Sequence, residues 1–118
     1  MRPQFDPSRL LAEYEDDLLV AEITQMLLDT APGLLRTIEE AVATGDAAAL
    51  KAGAHRLRGS VATFGLDSAT QATLDLERLA ANGQMASAPA VVAGLTRDVG
   101  ILCAGARSWL ATRAAAAS

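Results

Sequence analysis

The sequence predicts an all-α fold, an antiparallel up-down four-helix bundle with a short additional N-terminal helix. Three observations carry this. Alanine fills 26 of 118 positions, while Trp, Tyr and Phe together fill four; such small, helix-favouring side chains suit closely packed helices better than a sandwich, which draws on aromatic and β-branched residues. Apolar residues recur at steps of three and four through four long stretches, the period of one helical face. The links between these stretches are short and hold helix-stop and helix-start residues, which favours antiparallel neighbours. With 51% hydrophobic residues, the chain is expected to form a single domain over 1–118, with its helical core at about 8–113. A two-domain enzyme does not fit in this length.

Each element follows from its own signals. Ser8 is a cap residue for a brief helix over 9–14, whose Leu10 and Leu11 cover one end of the bundle. Asp16 and Asp17 put negative charge at the start of a helix over 18–44. Its apolar positions include Ile23, Met26, Leu27, Leu34, Leu35, Ile38 and Val42. Pro32 interrupts that run, removing a backbone donor and crowding the preceding turn, and is read as a kink in one helix. Gly45 is a C-cap and Asp46 the N-cap of the next helix, where Leu50, Ala54, Leu57, Val61 and Phe64 form a core face that Gly65 closes. Asp67 caps a further helix with a seam of Ala69, Thr73, Leu76 and Ala80, broken by Asn82 and Gly83. Ser87–Pro89 opens the last helix, in which Val92, Leu95, Val99, Leu102, Ala106 and Trp109 keep helical spacing before a frayed tail over 114–118. Gly94, Gly100 and Gly105 are read as places of close helix packing, because an interior glycine costs about 1 kcal/mol against alanine unless something compensates.

The net charge is −4 and the pI near 4.8, so the positive face that a phosphate backbone requires is not expected, and neither is nucleic-acid binding. The charge is uneven: residues 1–50 hold ten acidic and three basic groups, residues 51–118 four acidic and seven basic. A local basic spot around Lys51, Arg56 and Arg58 is therefore compatible with an acidic protein. Cys103 is the one cysteine; it excludes an internal disulfide and a thiolate metal cluster, and its apolar setting reads as core. No ligand set for a metal and no phosphate-binding glycine loop is recognisable, so neither an intrinsic cofactor nor an ATP site is expected. No stretch approaches eighteen apolar residues without polar interruption, and residues 1–6 do not open a signal peptide, so the expectation is a cytoplasmic protein without a membrane span. A monomer is expected as well, since no uninterrupted heptad seam is present.

His55 is the sharpest functional signal. It follows the core residue Ala54, about 100° further around the helix, which puts the imidazole at the edge of the buried stripe. Arg58 and Gly59 lie three and four residues on, on the same side. A nucleophile, a cation and a bare patch of backbone thus share one face. Neutral imidazole attacks electrophilic phosphorus, a guanidinium holds phosphoryl oxygens through charge-assisted bonds, and a glycine leaves room for the incoming group.

The run Ala54-His55-Arg56-Leu57-Arg58-Gly59-Ser60, extended by Val61-Ala62-Thr63-Phe64-Gly65, resembles the histidine-containing phosphotransfer (HPt) domain family, whose pattern is Ala-His-x-Leu-Lys-Gly-Ser/Ala. His55 matches the phosphoacceptor, Leu57 the buried position and Gly59 the clearance position. Arg58 stands where the family usually has lysine, keeping the charge with a different reach and hydrogen-bond geometry. Upstream, Met26 to Pro32 followed by Leu35, Ile38 and Ala41-Val42 looks like the family's long second helix, with Met26 where an aromatic is frequent. Downstream, Leu74 to Leu79, with Glu77, resembles its hydrophobic-then-acidic segment.

The resemblance implies a phosphoryl relay between receiver-domain aspartates in two-component signalling. His55 would carry the group, and Arg58 and Gly59 would assist it. The partners would be receiver domains of response regulators or hybrid histidine kinases, and they would bring the magnesium and the acidic pocket. The chain would be a phosphotransfer intermediate, not an autonomous ATP-dependent kinase. Docking is expected on the flank of the histidine helix and the helix before it, with Met26, Leu27, Asp29 and Arg56 as candidates. The competing reading is a non-catalytic helical adaptor, which an exposed His55 beside Arg58 would disfavour and a buried imidazole would favour.

Overall fold

Helices α1 (Pro7–Tyr14), α2 (Asp17–Thr44), α3 (Ala47–Thr63), α4 (Asp67–Ala81) and α5 (Ala88–Ala117), with a single 3-10 turn at Met85–Ser87, make up nearly the whole computed structural model, which describes residues 5–117. No strand occurs among the described residues. Helix α2 packs on α3, α3 on α4 and α4 on α5, and α5 closes the ring against α2; α1 lies on α2. The all-helical expectation holds.

Most helix ends sit where the sequence puts them. The Asp16 carboxylate accepts from Leu19 N–H at 3.1 Å and that of Asp46 from Ala49 N–H at 3.0 Å, satisfying donors that a first turn otherwise leaves orphaned. Gly45 ends α2 at φ +68°, a left-handed conformation that glycine adopts without steric cost. Two caps differ from expectation. Asp6, not Ser8, caps α1: Pro7 lacks an N–H and sits at the first helical position, so the acceptor must precede it, and Ser8 becomes the donor. Helix α4 has Leu66 at its N-cap without a side-chain bond, and Asp67 is its first residue, where its charge still opposes the helix dipole. Helix α2 continues through Pro32 as one element, and α5 extends to Ala117; Ser118 and residues 1–4 lie outside the described residues.

The core follows the predicted stripes. Leu50, Ala54, Leu57 and Val61 of α3, Ala69, Thr73 and Leu76 of α4, and Leu95, Val99, Leu102 and Ala106 of α5 are essentially inaccessible. Cys103 is buried too, and burial pushes its thiol pKa up, which keeps it protonated and unreactive. In α2 the buried stripe is Val20, Thr24, Leu27, Ala31, Ile38 and Ala41, and Met26, expected on the apolar face, is 64% exposed. An 18-residue window of α2 and one within Met85–Ala116 reach a mean hydropathy of 1.3, enough by length and composition to cross a membrane; here both helices turn a face into the common core.

The glycines separate into distinct cases. A Cβ on Gly53 would stand 3.1 Å from Ile38 Cγ1, so α2 and α3 approach closely there. Of the three glycines of α5 read as close-packing sites, Gly105 alone qualifies, with Phe5 lying against it; Gly94 would meet only the tip of Arg97, and Gly100 faces open space. Nothing in the structure explains glycine at those two positions.

Candidate functional site

Helix α3 holds its apolar stripe against α2 and α4, and this fixes what its remaining surface presents. With Ala54 and Leu57 fully buried, His55 has to emerge at the stripe's edge. Its side chain is 63% exposed. Arg58, one turn on, is about half as exposed and reaches back so that its Nη2 lies 2.8 Å from His55 Nδ1. The chain folds back at Gly65, and Glu77 of α4 comes alongside. Its Oε1 is 3.1 Å from the same Nδ1, and its Oε2 is 3.5 Å from Arg58 Nη1.

These contacts compete for one nitrogen. A neutral imidazole with its proton on Nδ1 donates to Glu77 and cannot accept from Arg58; with the proton on Nε2, Nδ1 accepts from Arg58 and faces a carboxylate lone pair. The first form leaves Nε2 with a free lone pair, and Arg58 then keeps its ion pair to Glu77. Glu77 Oε2 is buried without a hydrogen bond, so this carboxylate depends on Arg58 for compensation. Gly59 lies one turn beyond His55, and a Cβ there would meet nothing within 4 Å. Packing inside the chain therefore does not demand a glycine, although its backbone cost in a helix is real.

Next to His55, on the α2 side, runs a groove of about 410 Å³. Tyr14 lines it from α1, Met26 and Leu27 from α2, and Arg56, Gly59 and Thr63 from α3. Of the sequence candidates for docking, Met26, Leu27 and Arg56 meet there. Asp29 does not; it accepts from Gln25 Nε2 on its own helix. Ser60 also lines the groove, five residues from His55 and outside the imidazole's hydrogen bonds.

Glu77 is the residue to which the sequence reading gave no role in the site. The signal was nonetheless present. His55 and Glu77 lie ten and twelve residues from Gly65, and at about 1.5 Å of rise per residue a helical chain folding back there brings them to nearly the same height. Among the described residues, no three His, Cys, Asp or Glu side chains cluster as metal ligands.

The comparisons with known proteins agree with this geometry. The fold matches the crystal structure of histidine-containing phosphotransfer protein B (HptB) from Pseudomonas aeruginosa PAO1 with a TM-score of 0.81 and 23% identity, over 95% of this chain and 98% of that one. A comparison with curated proteins finds no match. The Hpt domain family matches residues 22–108, a span that holds His55, Arg58, Gly59 and Glu77 together. The chain belongs to the Hpt domain family.

Proposed function

We propose that His55 is the phosphoacceptor through which this Hpt domain relays a phosphoryl group between receiver-domain aspartates in a two-component phosphorelay. The observation that carries this assignment is a 63% exposed imidazole whose Nδ1 lies within hydrogen-bond distance of a carboxylate and a guanidinium. With Nδ1–H donating to Glu77, the lone pair of Nε2 attacks the phosphorus of an aspartyl phosphate. The N–P bond forms as the P–O bond breaks, and the electron pair of that bond leaves on the aspartate carboxylate. Glu77 stabilises the positive charge that develops on the ring, as a carboxylate behind a catalytic histidine does. Arg58 turns from Glu77 to the phosphoryl oxygens, and the open space at Gly59 admits the group. Transfer to the next receiver reverses these steps.

In this reading the four long helices form an antiparallel up-down bundle that serves as a rigid mount for α3. The receiver supplies magnesium and its own acidic pocket; this chain contributes no cofactor and works as a cytoplasmic monomer without nucleic acid or membrane. The exposure of His55 beside Arg58 also weighs against a purely structural adaptor. The test is transfer of label from a phosphorylated receiver. Wild-type protein should take up label that is acid-labile and comparatively stable to base, as an N–P bond is. His55→Gln should keep its helical content and take up none. A folded His55→Gln protein that still accepts normal amounts would move the site to Ser60 or a carboxylate.

A further inference from the structure

His55 has two ring nitrogens, and the chain's own polar contacts all fall on one of them. Nδ1 lies 2.8 Å from Arg58 Nη2 and 3.1 Å from Glu77 Oε1, while Nε2 meets no polar partner among the described residues. A neutral imidazole carries one N–H and one lone pair in its plane. Whatever sits on Nδ1 therefore decides the state of Nε2 without touching it. A donor at Nδ1 binds the lone pair, so the proton stays on Nε2 and that nitrogen cannot attack. An acceptor at Nδ1 binds the proton and leaves Nε2 nucleophilic. Arg58 is a donor only and an ionised Glu77 an acceptor only, so the two side chains hold opposite tautomers.

The distances rank them. A contact of 2.8 Å is a short hydrogen bond from a charged donor, and 3.1 Å is on the long side. Glu77 receives less from Arg58 than the ring does: Nη1 is 3.5 Å from Oε2, which is buried without a hydrogen bond. We infer that Arg58 gates the nucleophile: seated on Nδ1 it holds His55 in the unreactive Nε2–H tautomer, and an anionic phosphoryl donor opens the gate by drawing the guanidinium to its own oxygens. This gate presupposes the phosphotransfer reading and adds a regulation of the same site. Once Arg58 has left, the Nε2 proton passes to water and water returns one to Nδ1, which donates to Glu77. The 63% exposed ring keeps one proton throughout, and Nε2 has its lone pair for the phosphorus. A neutral electrophile brings no charge to move the guanidinium and meets the closed form.

His55 is the one histidine of the chain, so every readout reports a single ring. Long-range proton–nitrogen NMR spectra of the imidazole, in mildly alkaline buffer, show which nitrogen carries the proton. Wild type should rest as Nε2–H. Arg58→Met, which lacks a donor, should move to Nδ1–H, and Glu77→Gln, which leaves Arg58 in place, should stay Nε2–H. Reactivity is read with two reagents. Diethyl pyrocarbonate is neutral: the ring nitrogen attacks its carbonyl carbon, the ring proton goes to solvent, and ethyl carbonate leaves as carbon dioxide and ethanol. Tautomers exchange faster than this acylation, so its rate follows the population with a free Nε2, and Arg58→Met should acylate severalfold faster than wild type. Phosphoramidate is anionic: its P–N bond breaks with loss of ammonia as the His55 N–P bond forms. It should label Arg58→Met severalfold more slowly than wild type, because no guanidinium receives its oxygens. Opposite signs with the two reagents mark a gate; a loosened site moves both the same way.

Arg58→Met that stays Nε2–H, or that acylates at the wild-type rate, would overturn the gate. So would a wild-type ring with its proton on Nδ1, a result that decides even if Arg58→Met, which leaves Glu77 unpaired, loses its circular dichroism and does not fold. Label on His55 together with a tautomer indifferent to Arg58 overturns the gate and leaves the phosphotransfer reading intact. No label from phosphoramidate or from phosphorylated receivers, with the tautomer switching as described, overturns that reading and the gate with it.

Discussion

The middle of α3 and its C-terminal end show opposite ways of using polar and aromatic side chains. Around His55, three charged or polar groups share too few partners: two of them compete for Nδ1, and one oxygen of Glu77 has no hydrogen bond. Beyond Phe64, where α3 ends, the aromatic side chains pack on one another. Phe5 stacks at a tilt on Phe64 and Trp109, with ring centroids 5.9 and 5.6 Å apart. Arg113 lies over the Trp109 ring and is paired with Asp17. The first region is left under-satisfied, which under the proposed function gives an incoming phosphoryl group something to gain; the second joins the start of α2 to the end of α5. Family membership follows the first region: Phe5, Asp17 and Arg113 all fall outside residues 22–108.

If this division of labour is right, substitutions in the two regions should dissociate. The largest effect belongs to the clamp. Trp109→Ala removes a half-buried ring that packs on Phe5 and under Arg113, and should lower stability by about 3 kcal/mol in urea unfolding, with transfer per folded molecule unchanged. Slowed transfer in the folded fraction would break the comparison by coupling the two ends. Arg58→Ala should do the reverse. Transfer should fall by the equivalent of about 1.5–3 kcal/mol, the worth of a charge-assisted contact, with a smaller loss in the unfolding midpoint because the buried Glu77 oxygen loses its ion-pair partner, and Arg58→Lys should recover much of the rate. Unchanged kinetics with several receivers would remove Arg58 from the site.

Gly59→Ala sharpens the contrast at a smaller scale. It replaces a helical glycine in open space, so stability should rise by up to about 1 kcal/mol while phosphoryl transfer slows. A variant that is both more stable and equally fast would show that the clearance is not needed. The smallest effect concerns pH. The Asp6 carboxyl is held below the usual aspartate value, first by the Ser8 hydroxyl and then by the Ser8 backbone N–H. A depressed folded-state pKa stabilises α1 above the unfolded value and loses that contribution as pH falls through the folded one. Fraying of α1 should therefore begin below about pH 4, while the circular dichroism of the remaining helices persists; an α1 indifferent to acid would deny Asp6 its role.

Much of this was legible before any coordinates. The buried faces of α3, α4 and α5 follow the three- and four-residue steps residue by residue, since a period reports which side of a helix is dry. The width of the stripe was harder to read. Met26 neighbours Leu27 and fits the same period, yet lies outside the stripe, because the rotation of α2 is set also by Thr24, Ala31 and Ala41, small or polar residues that a reading of large apolar side chains passes over. His55, Arg58 and Gly59 were found because they lie within one turn. Glu77 was missed because its place beside them arises only when the chain folds back at Gly65. That turn itself is doubly constrained: φ is +71°, and the Arg9 side chain fills the space a Cβ would need.

Pro32 carries a mechanical consequence. As a proline inside an unbroken helix, it donates no bond to the Leu28 carbonyl, so the ladder of α2 lacks one rung at its middle. The half after Pro32 holds Ile38, against which Gly53 of α3 is closely seated; the half before it holds Met26 and Leu27, the α2 wall of the groove. A missing rung lets the two halves open as separate units in amide exchange, the later one slowly with the histidine helix and the earlier one faster. The earlier half is thus free to adjust its shape by small bending, while the histidine helix stays registered to the later half through Gly53 and Ile38.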